Sequence, residues 1–552
     1  MPAKSKLWSK FYPSAIPKNI DYPEVPLQGL LRKSAKAHPE KAAIAFLEKE
    51  INYAELDVLS DQFAAALASL GVKKGDKVAI FLPNIPQFII AYFGILKTDA
   101  VLTTISPMHK EREVAHQLKD SEAVTIVTLD TLYPMLKKVW RRTKLKHAII
   151  TSMEEYAKNP VLAKTPQAPN VHSFQELLKP AEPTSVYINP REDLAALQYT
   201  GGTTGTAKGA MLSHMNLVSN AVAFAAWIRG TSADTFLAAL PLFHIYGMTT
   251  SMTVPVILAA KMVLLSRFEP ASALTTIQRY RVTVFCGVPT MYSMLLADPE
   301  LAKFDLTSIR VCISGASPLP PQIQKRFMQI TGGFLAEGYG LTEASPVTHC
   351  NPVDKTMRTV RVGSIGLPLP DTDARIVDME TGTKTLAPEE IGELAVKGPQ
   401  VMRGYWQNPE ETELVLRNGW LLTGDIARMD RDGYFYITDR KKDLIKYKDY
   451  SVYPRELEDI LYEYPAVKLC AVVGKPTSVV GEIPKAFIVL KAASQATEED
   501  IMAFVKEKVA SYKAVREVEF RQHLPISGAG KVLRRELQEE EKNKTLPQGR
   551  NV

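Results

Sequence analysis

The sequence predicts an α/β fold: a large N-terminal domain of two layered α/β subdomains plus a β-rich subdomain, followed by a small α+β C-terminal domain. Three observations predict it. Helical apolar periods alternate with short apolar runs over the first ~190 residues. A second alternating stretch follows from Asp193 to about Gly332. The texture then changes near Gly363 to short strands punctuated by Gly-Leu-Pro, Gly-Glu-Leu and Asp-Gly, reading as mostly β up to about Tyr436.

The elements follow in order. Tyr53 to Leu70 has apolar spacings of three and four and stops at Gly71, which predicts a helix. Lys77 to Leu82 predicts a buried strand, Phe88 to Leu96 a helix and Ala123 to Leu129 a strand. Leu194–Tyr199, Val282–Cys286 and Ile309–Ser314 predict strands of the second stretch. The most apolar run, Met248 to Leu265, contains Pro255 and Lys261 and reads as a buried helix or strand rather than a membrane span. Past the charged junction Arg440-Lys-Lys-Asp443, the pattern predicts a helix at Pro454–Glu463, strands at Lys468–Val473 and Lys485–Lys491, and a helix at Glu498–Ala510. The charged tail after Leu537 is expected to fray.

The totals set bounds. A chain of 552 residues exceeds one hydrophobic core. The net charge of +7 suits anionic small ligands or simple solubility, and no block of basic residues interleaved with aromatics points to a nucleic-acid groove. Cys286, Cys312, Cys350 and Cys470 are far apart and lack metal-ligand spacing, so free thiols in a reducing, cytoplasmic setting are expected. The basic N-terminus is not followed by an apolar stretch, so no secretory signal is expected. Peripheral membrane contact stays open, as does oligomeric state, a homodimer included.

The most informative segment is Tyr199-Thr-Gly-Gly-Thr-Thr-Gly-Thr-Ala-Lys-Gly209. Glycines let backbone N–H groups converge on an anion, threonine hydroxyls add neutral donors, and Lys208 adds a mobile cation. Ala207 before Lys208 and Gly209 after it exclude a Walker A loop, and the glycine spacing excludes a dinucleotide fingerprint. Alone, the segment reads equally as a phosphate cradle or a plain flexible loop.

Four further motifs raise the first reading. Pro241-Leu-Phe-His-Ile-Tyr-Gly-Met248 sets His244 among apolar residues, where a satisfied core histidine is the competing explanation. Ser314-Gly-Ala-Ser-Pro-Leu319 closes a strand, the place where ligands sit in open α/β sheets. Glu337-Gly-Tyr-Gly-Leu-Thr-Glu343 combines close backbone approach, a stacking tyrosine and a Thr-Glu pair suited to Mg²⁺ and phosphate oxygens. Trp420-Leu-Leu-Thr-Gly-Asp425 places a carboxylate after a turn, suited to ribose hydroxyls.

Together with Asp439-Arg440 and the terminal Leu524-Pro-Ile-Ser-Gly-Ala-Gly-Lys-Val-Leu-Arg534, these segments resemble the ordered motif series of the AMP-forming acyl-adenylate superfamily, which holds acyl-CoA synthetases, luciferases and peptide-synthetase adenylation domains. The resemblance runs from about Gln28 to Leu537. Val401-Met-Arg-Gly-Tyr-Trp406, Phe285-Cys-Gly-Val-Pro-Thr-Met-Tyr292 and Thr438-Asp-Arg-Lys-Lys-Asp443 look most like bacterial and archaeal fatty-acid–CoA ligases.

The resemblance implies a two-step ligation. A carboxylate attacks the α-phosphate of ATP, giving acyl-AMP and pyrophosphate, and the CoA thiol then displaces AMP. Residues 1–439 are implied to be the adenylation domain, and 440–552 a mobile C-terminal domain. Thr200, Gly201, Gly202, Thr203, Thr204, Gly205, Thr206 and Lys208 are implied to hold the β- and γ-phosphates, Glu343 Mg²⁺, and Thr342 the α-phosphate. Ala316, Glu337, Gly338 and Tyr339 are implied to form the adenine shelf, and Asp425 and Arg440 to bind the ribose. His244 and Tyr246 are placed beside the acyl carboxylate, with Val288, Ala316 and residues 251–260 along the acyl pocket. Lys531 is implied to bridge the carboxylate and the α-phosphate. Lys442 matches the hinge, about which rotation exchanges Lys531 for the segment Lys446–Val452.

One departure stands out. Where the family reads Lys-Gly-aromatic-Gln, this chain has Lys448-Asp-Tyr-Ser451. Asp449 tolerates a left-handed backbone, yet its carboxylate beside anionic CoA is expected to slow the second step. The leading expectation is a medium- to long-chain fatty-acid–CoA ligase using ATP, Mg²⁺ and CoA. A coumarate-like aromatic acid, delivery to a carrier protein, or a silent nucleotide binder are the alternatives.

Overall fold

The computed structural model describes residues 6–182, 186–200, 207–353, 357, 359–448, 450–477, 480–492, 494–527 and 532–545. Its first sheet has seven strands in the order Val171–Ser173, His147–Thr151, Thr125–Leu129, Lys77–Phe81, Val101–Thr104, Leu194–Thr200, Lys208–Ser213. All neighbours are parallel except the last pair. The second sheet has nine strands, and its six central ones, from Phe334–Gly340 to Ala42–Phe46, run parallel.

The two sheets exchange strands, which a linear reading of the chain does not anticipate. Ala42–Phe46 and Lys49–Asn52 come from the first stretch but belong to the second sheet, Ala42–Phe46 pairing with Lys261–Leu264. Leu194–Thr200 and Lys208–Ser213 open the second stretch but belong to the first sheet, through Leu102↔Ala196 and Thr103↔Leu197. Pairing follows the buried faces: Ala195, Ala196 and Leu197 are fully buried against an equally buried Leu102. The helix Pro86–Lys97 is buried on every face, consistent with its near-continuous apolar sequence.

The apolar run that begins near Met248 forms a helical segment from Ile245–Gly247 through a widened π turn, Met248–Thr253, to Val254–Leu258, then the strand Lys261–Leu264. Its buried hydroxyls bond back to the helix: Thr250 Oγ1 donates to the Tyr246 carbonyl at 2.7 Å and Thr253 Oγ1 to that of Met248 at 3.0 Å. Among the described residues no helix is long and apolar enough to cross a membrane.

Contacts divide the chain into two units, Met1–Ala374 with Val396–Leu421, and Arg375–Ala395 with Leu422–Val552. In the second unit, Gly481–Leu490 pairs antiparallel with Val467–Thr477 and parallel with Glu517–Phe520. Ile445, Val452, Leu457, Leu461, Val472 and Ile488 lie in its core. Up to Thr545 the tail is not frayed as its charge suggests: Arg534–Thr545 is a helix. Leu537 and Glu541 are fully buried. Glu541 meets Lys485 at 3.0 Å and Lys544 at 2.8 Å. A buried carboxylate with two ammonium partners is held, not solvated.

Candidate active site

In the first unit, the carboxyl ends of three parallel strands lie in one layer. Gly287 pairs with Ser314, and Ser314 with Glu337. The segments that leave this layer carry Val288, Ala316, Gly338 and Tyr339, the arrangement expected of a ligand crevice in an open sheet. Val288 caps the Pro289–Leu296 helix and is buried. Ala316 takes a left-handed backbone, φ 69°, which a β-branched residue would resist. Glu337 is buried and accepts from the Leu319 N–H at 3.3 Å. A side chain on Gly338 would touch Ile313 at 3.0 Å, so the strand presents bare backbone there. Half-buried Tyr339 meets His349 edge-to-face, centroids 5.9 Å apart. Burial pushes the His349 imidazole down to about 3.

The hairpin Leu194–Thr200 with Lys208–Ser213 frames the Gly/Thr segment, with Thr200 opposite Lys208. Gly201, Gly202, Thr203, Thr204, Gly205 and Thr206 themselves lie outside the described residues, as do Asp449 and Lys531. Lys208 Nζ meets Glu411 Oε2 at 2.5 Å and sits 5.4 Å from the centre of the Tyr405 ring. The Tyr405 hydroxyl donates to Glu343 Oε1 at 2.7 Å. Burial first, then the charge of Glu343, raises the Tyr405 phenol well above its ordinary value, so it remains a donor. The segment around Tyr405 also pairs through its backbone: Met211 N–H with the Gly404 carbonyl, Trp406 N–H with that of Gly209, and Met402 N–H with that of Glu343. One short stretch thus brackets both the lysine of the proposed cradle and the carboxylate of the proposed metal site. Within Val401–Trp406 nothing in the sequence marks Tyr405, and nothing downstream marks Glu411, as partners of Glu343 and Lys208. The nearest signal is Gly404, whose φ of 138° beside Thr412 allows the close approach to the cradle strand.

His244 caps the helical segment, its Nδ1 accepting from the Tyr246 N–H at 3.2 Å. Neutral His244 therefore carries its proton on Nε2. Its turn is pinned by polar groups of the first sheet layer. Asn84 bonds both Ala238 and Leu240 carbonyls and the Leu242 N–H, while Thr104 and Gln198 bond the Phe243 carbonyl. The Tyr246 hydroxyl is engaged by the protein backbone. It donates to the Ile313 carbonyl at 2.9 Å, and its ring edge lies 3.1 Å from where a side chain on Gly315 would start. Thr342 and Glu343 form a single 3-10 turn, half-buried, at the end of the Phe334–Gly340 strand.

The second unit carries the remaining residues. Asp425 does not follow a turn; it lies inside the strand Trp420–Met429, opposite Arg440, with Arg440 Nε 3.1 Å from its Oδ1. Gly424 just before it has φ 72°, and the register of the pair shifts between Ile426 and Ala427. Lys442 is exposed. Lys446 and Lys448 belong to a tight hairpin in which Tyr447 faces Tyr450. The left-handed turn residue described there is Lys448, φ 53°.

Among the described residues no group of three His, Cys, Asp or Glu could hold a metal ion, so an ion beside Glu343 would draw most of its ligands from water and substrate. That fits Mg²⁺, which keeps water and substrate phosphates as ligands and needs few from protein. It does not fit zinc, which needs three or four.

A lysine and a tethered carboxylate, Lys208 and Glu343, bracketed by one stretch in a parallel-sheet α/β unit, fit a nucleotide-dependent activating enzyme. Residues 31–406 match the AMP-binding enzyme model and residues 456–531 the AMP-binding enzyme C-terminal domain, so the chain belongs to the AMP-binding enzyme family, the acyl-adenylate-forming group. It is 43% identical to a long-chain-fatty-acid–CoA ligase of Bacillus subtilis (strain 168), over 97% of this chain and 98% of that one. It is 37% identical to a long-chain-fatty-acid–CoA ligase of Escherichia coli O6:H1, over 98% and 99%. Among solved structures, an anthranilate CoA ligase in complex with anthranoyl-AMP superimposes with a TM-score of 0.84 at 27% identity, over 96% of this chain and 99% of that one. ATP-bound MatB from Rhodopseudomonas palustris gives 0.83 at 29%, over 94% and 100%.

Proposed function

We propose that this protein is a fatty-acid–CoA ligase that joins medium- to long-chain acids to CoA through an acyl-adenylate, with ATP as the activating substrate. The full-length likeness to bacterial long-chain-fatty-acid–CoA ligases carries this reading. The four described free cysteines, all buried, support placing it in the cytoplasm.

The chemistry follows from charge. A carboxylate and a triphosphate repel, so the first step needs cations where negative charge accumulates. Lys208 and the Gly201–Thr206 backbone hold the β- and γ-phosphates, and Thr342 contacts the α-phosphate. Lys208 must then trade Glu411 for phosphate, a carboxylate for a more highly charged partner. Glu343, aimed by Tyr405, would hold Mg²⁺, which when bound neutralises phosphate charge. Ala316, Glu337, Gly338 and Tyr339 form the adenine shelf; Asp425 and Arg440 bind ribose. His244 faces the acyl carboxylate, and Val288 and Tyr246 bound the acyl pocket. Lys531 offsets the charge of the attacking carboxylate against the α-phosphate. Residues 440–552 act as the moving domain, hinged at Lys442, with Lys446, Lys448 and Asp449 serving the thiol step.

The test is acid-dependent pyrophosphate release across saturated fatty acids of increasing length and aromatic acids, with and without CoA. Release that rises with chain length and yields acyl-CoA is expected. Preference for coumarate-like acids would replace the substrate assignment, and adenylate that persists when CoA is added would favour a carrier acceptor.

A further inference from the structure

Residues 137–146, Lys-Lys-Val-Trp-Arg-Arg-Thr-Lys-Leu-Lys, hold six cations and no acid. The run covers the end of the helix Tyr133–Val139, the turn Trp140–Arg142 and the approach to the strand His147–Thr151. Leu136 and Val139 are buried in the core under it, and Trp140 packs against the same cluster. At helical spacing, Lys137, Lys138, Arg141 and Arg142 fall on the opposite, outward stripe. All six cations are exposed. Two are spent on nearby carboxylates, Lys138 on Glu111 and Lys144 on Glu122, each at 2.5 Å. The side chains of Lys137, Arg141, Arg142 and Lys146 make no ion pair among the described residues.

This charge does not serve the nucleotide. The strand His147–Thr151 is parallel, through its neighbours, to Leu194–Thr200. The basic run therefore enters the amino edge of the sheet, while the Gly/Thr segment leaves its carboxyl edge.

We propose that the outward stripe of residues 137–146 is a docking surface for an anionic lipid bilayer. Exposed cations over a packed apolar underside match a diffuse sheet of headgroup charge, which demands number and exposure of charges rather than aligned geometry. A nucleic acid is the weaker fit, because the run holds a single aromatic, half-buried Trp140 packed against the core cluster, whereas single-strand grooves stack successive bases on several rings. The functional sense rests on the fatty-acid reading: acids of that class partition into lipid, and an enzyme held at the surface meets them there.

The experiment uses the full chain and no substrate, so it stands apart from the outcome of the activity assay. Co-sedimentation is measured with vesicles of phosphatidylcholine alone and with about one-third phosphatidylglycerol, across a salt series. The protein is expected on anionic vesicles only, released by salt. Replacing the four unpaired cations together, by Lys137→Gln, Arg141→Gln, Arg142→Gln and Lys146→Gln, is expected to lower binding at least about tenfold, with acyl-CoA formation from a water-soluble medium-chain acid unchanged. Wild-type protein that ignores anionic vesicles, equal binding to neutral ones, a variant that binds undiminished, or displacement from vesicles by a single-stranded oligonucleotide at lower concentration than by anionic lipid would each overturn the proposal.

Discussion

Tyr405 is the residue on which the described half of the site turns. It orients Glu343 by a charge-assisted hydrogen bond and sits beside Lys208. Tyr405→Phe keeps the ring and loses the donor. Pyrophosphate release is expected to fall about tenfold, with a raised requirement for Mg²⁺; an unchanged Mg²⁺ dependence would remove Tyr405 from the account. His349 gives a pH signature. Its folded value of about 3 lies below the ordinary 6.5, so as pH falls the unfolded chain takes up the proton first. Its contribution is whole above about 6.5 and is lost as pH falls toward 3, at up to ~1.4 kcal/mol per unit. His349→Gln should flatten the decline of the urea midpoint between about pH 7 and 5, and an identical decline would contradict this. At this scale, residues with distinctive chemistry at fixed spacing, such as Lys208 and Glu343, are legible in sequence. Tyr405 and Glu411 are not, because their roles come from a strand pairing some two hundred residues away, roughly the separation that local pattern cannot reach.

At the scale of elements, most helices and strands are legible because their apolar periods are unbroken. The helix predicted from Tyr53 to Leu70 is observed at Tyr53–Ser69, with a capping box from Asn52 and Glu55. Two kinds of feature escape. Strand exchange between the sheets depends on which buried faces meet, and period-two patterning is silent on partners. The C-terminal helix escapes because its charge reads as solvated, whereas Lys485, buried in another strand, receives Glu541. The turn carrying His244 is held by contact as well as by hydrogen bonds. A side chain on Gly247 would start 2.3 Å from the Pro241 carbonyl oxygen. Gly247→Ala should therefore lower stability by about 2 kcal/mol and reduce adenylation through the displaced turn. Wild-type stability in a urea titration would show that the turn yields freely.

At the scale of the molecule, the two reactions make opposite demands. Joining a carboxylate to a phosphate needs an added cation; in the proposed alternation, the thiol step proceeds with that cation withdrawn. Lys531→Ala should lose adenylation by several orders of magnitude, about 10³-fold or more, yet still form acyl-CoA from supplied acyl-AMP. Equal loss of both half-reactions would refute alternation of the C-terminal domain. The overall class was legible because five motifs recur in order along the chain. The acyl pocket was not, since the depth of a pocket depends on tertiary packing that sequence pattern does not carry.

The most direct test supplies the purified protein with magnesium, ATP and a long-chain fatty acid in the absence of CoA, and looks for the enzyme-bound acyl-adenylate by mass spectrometry together with one equivalent of pyrophosphate. The account predicts both, followed by conversion to acyl-CoA when the thiol is added. No adenylate from any acid, with the fold intact and ATP bound, would contradict it.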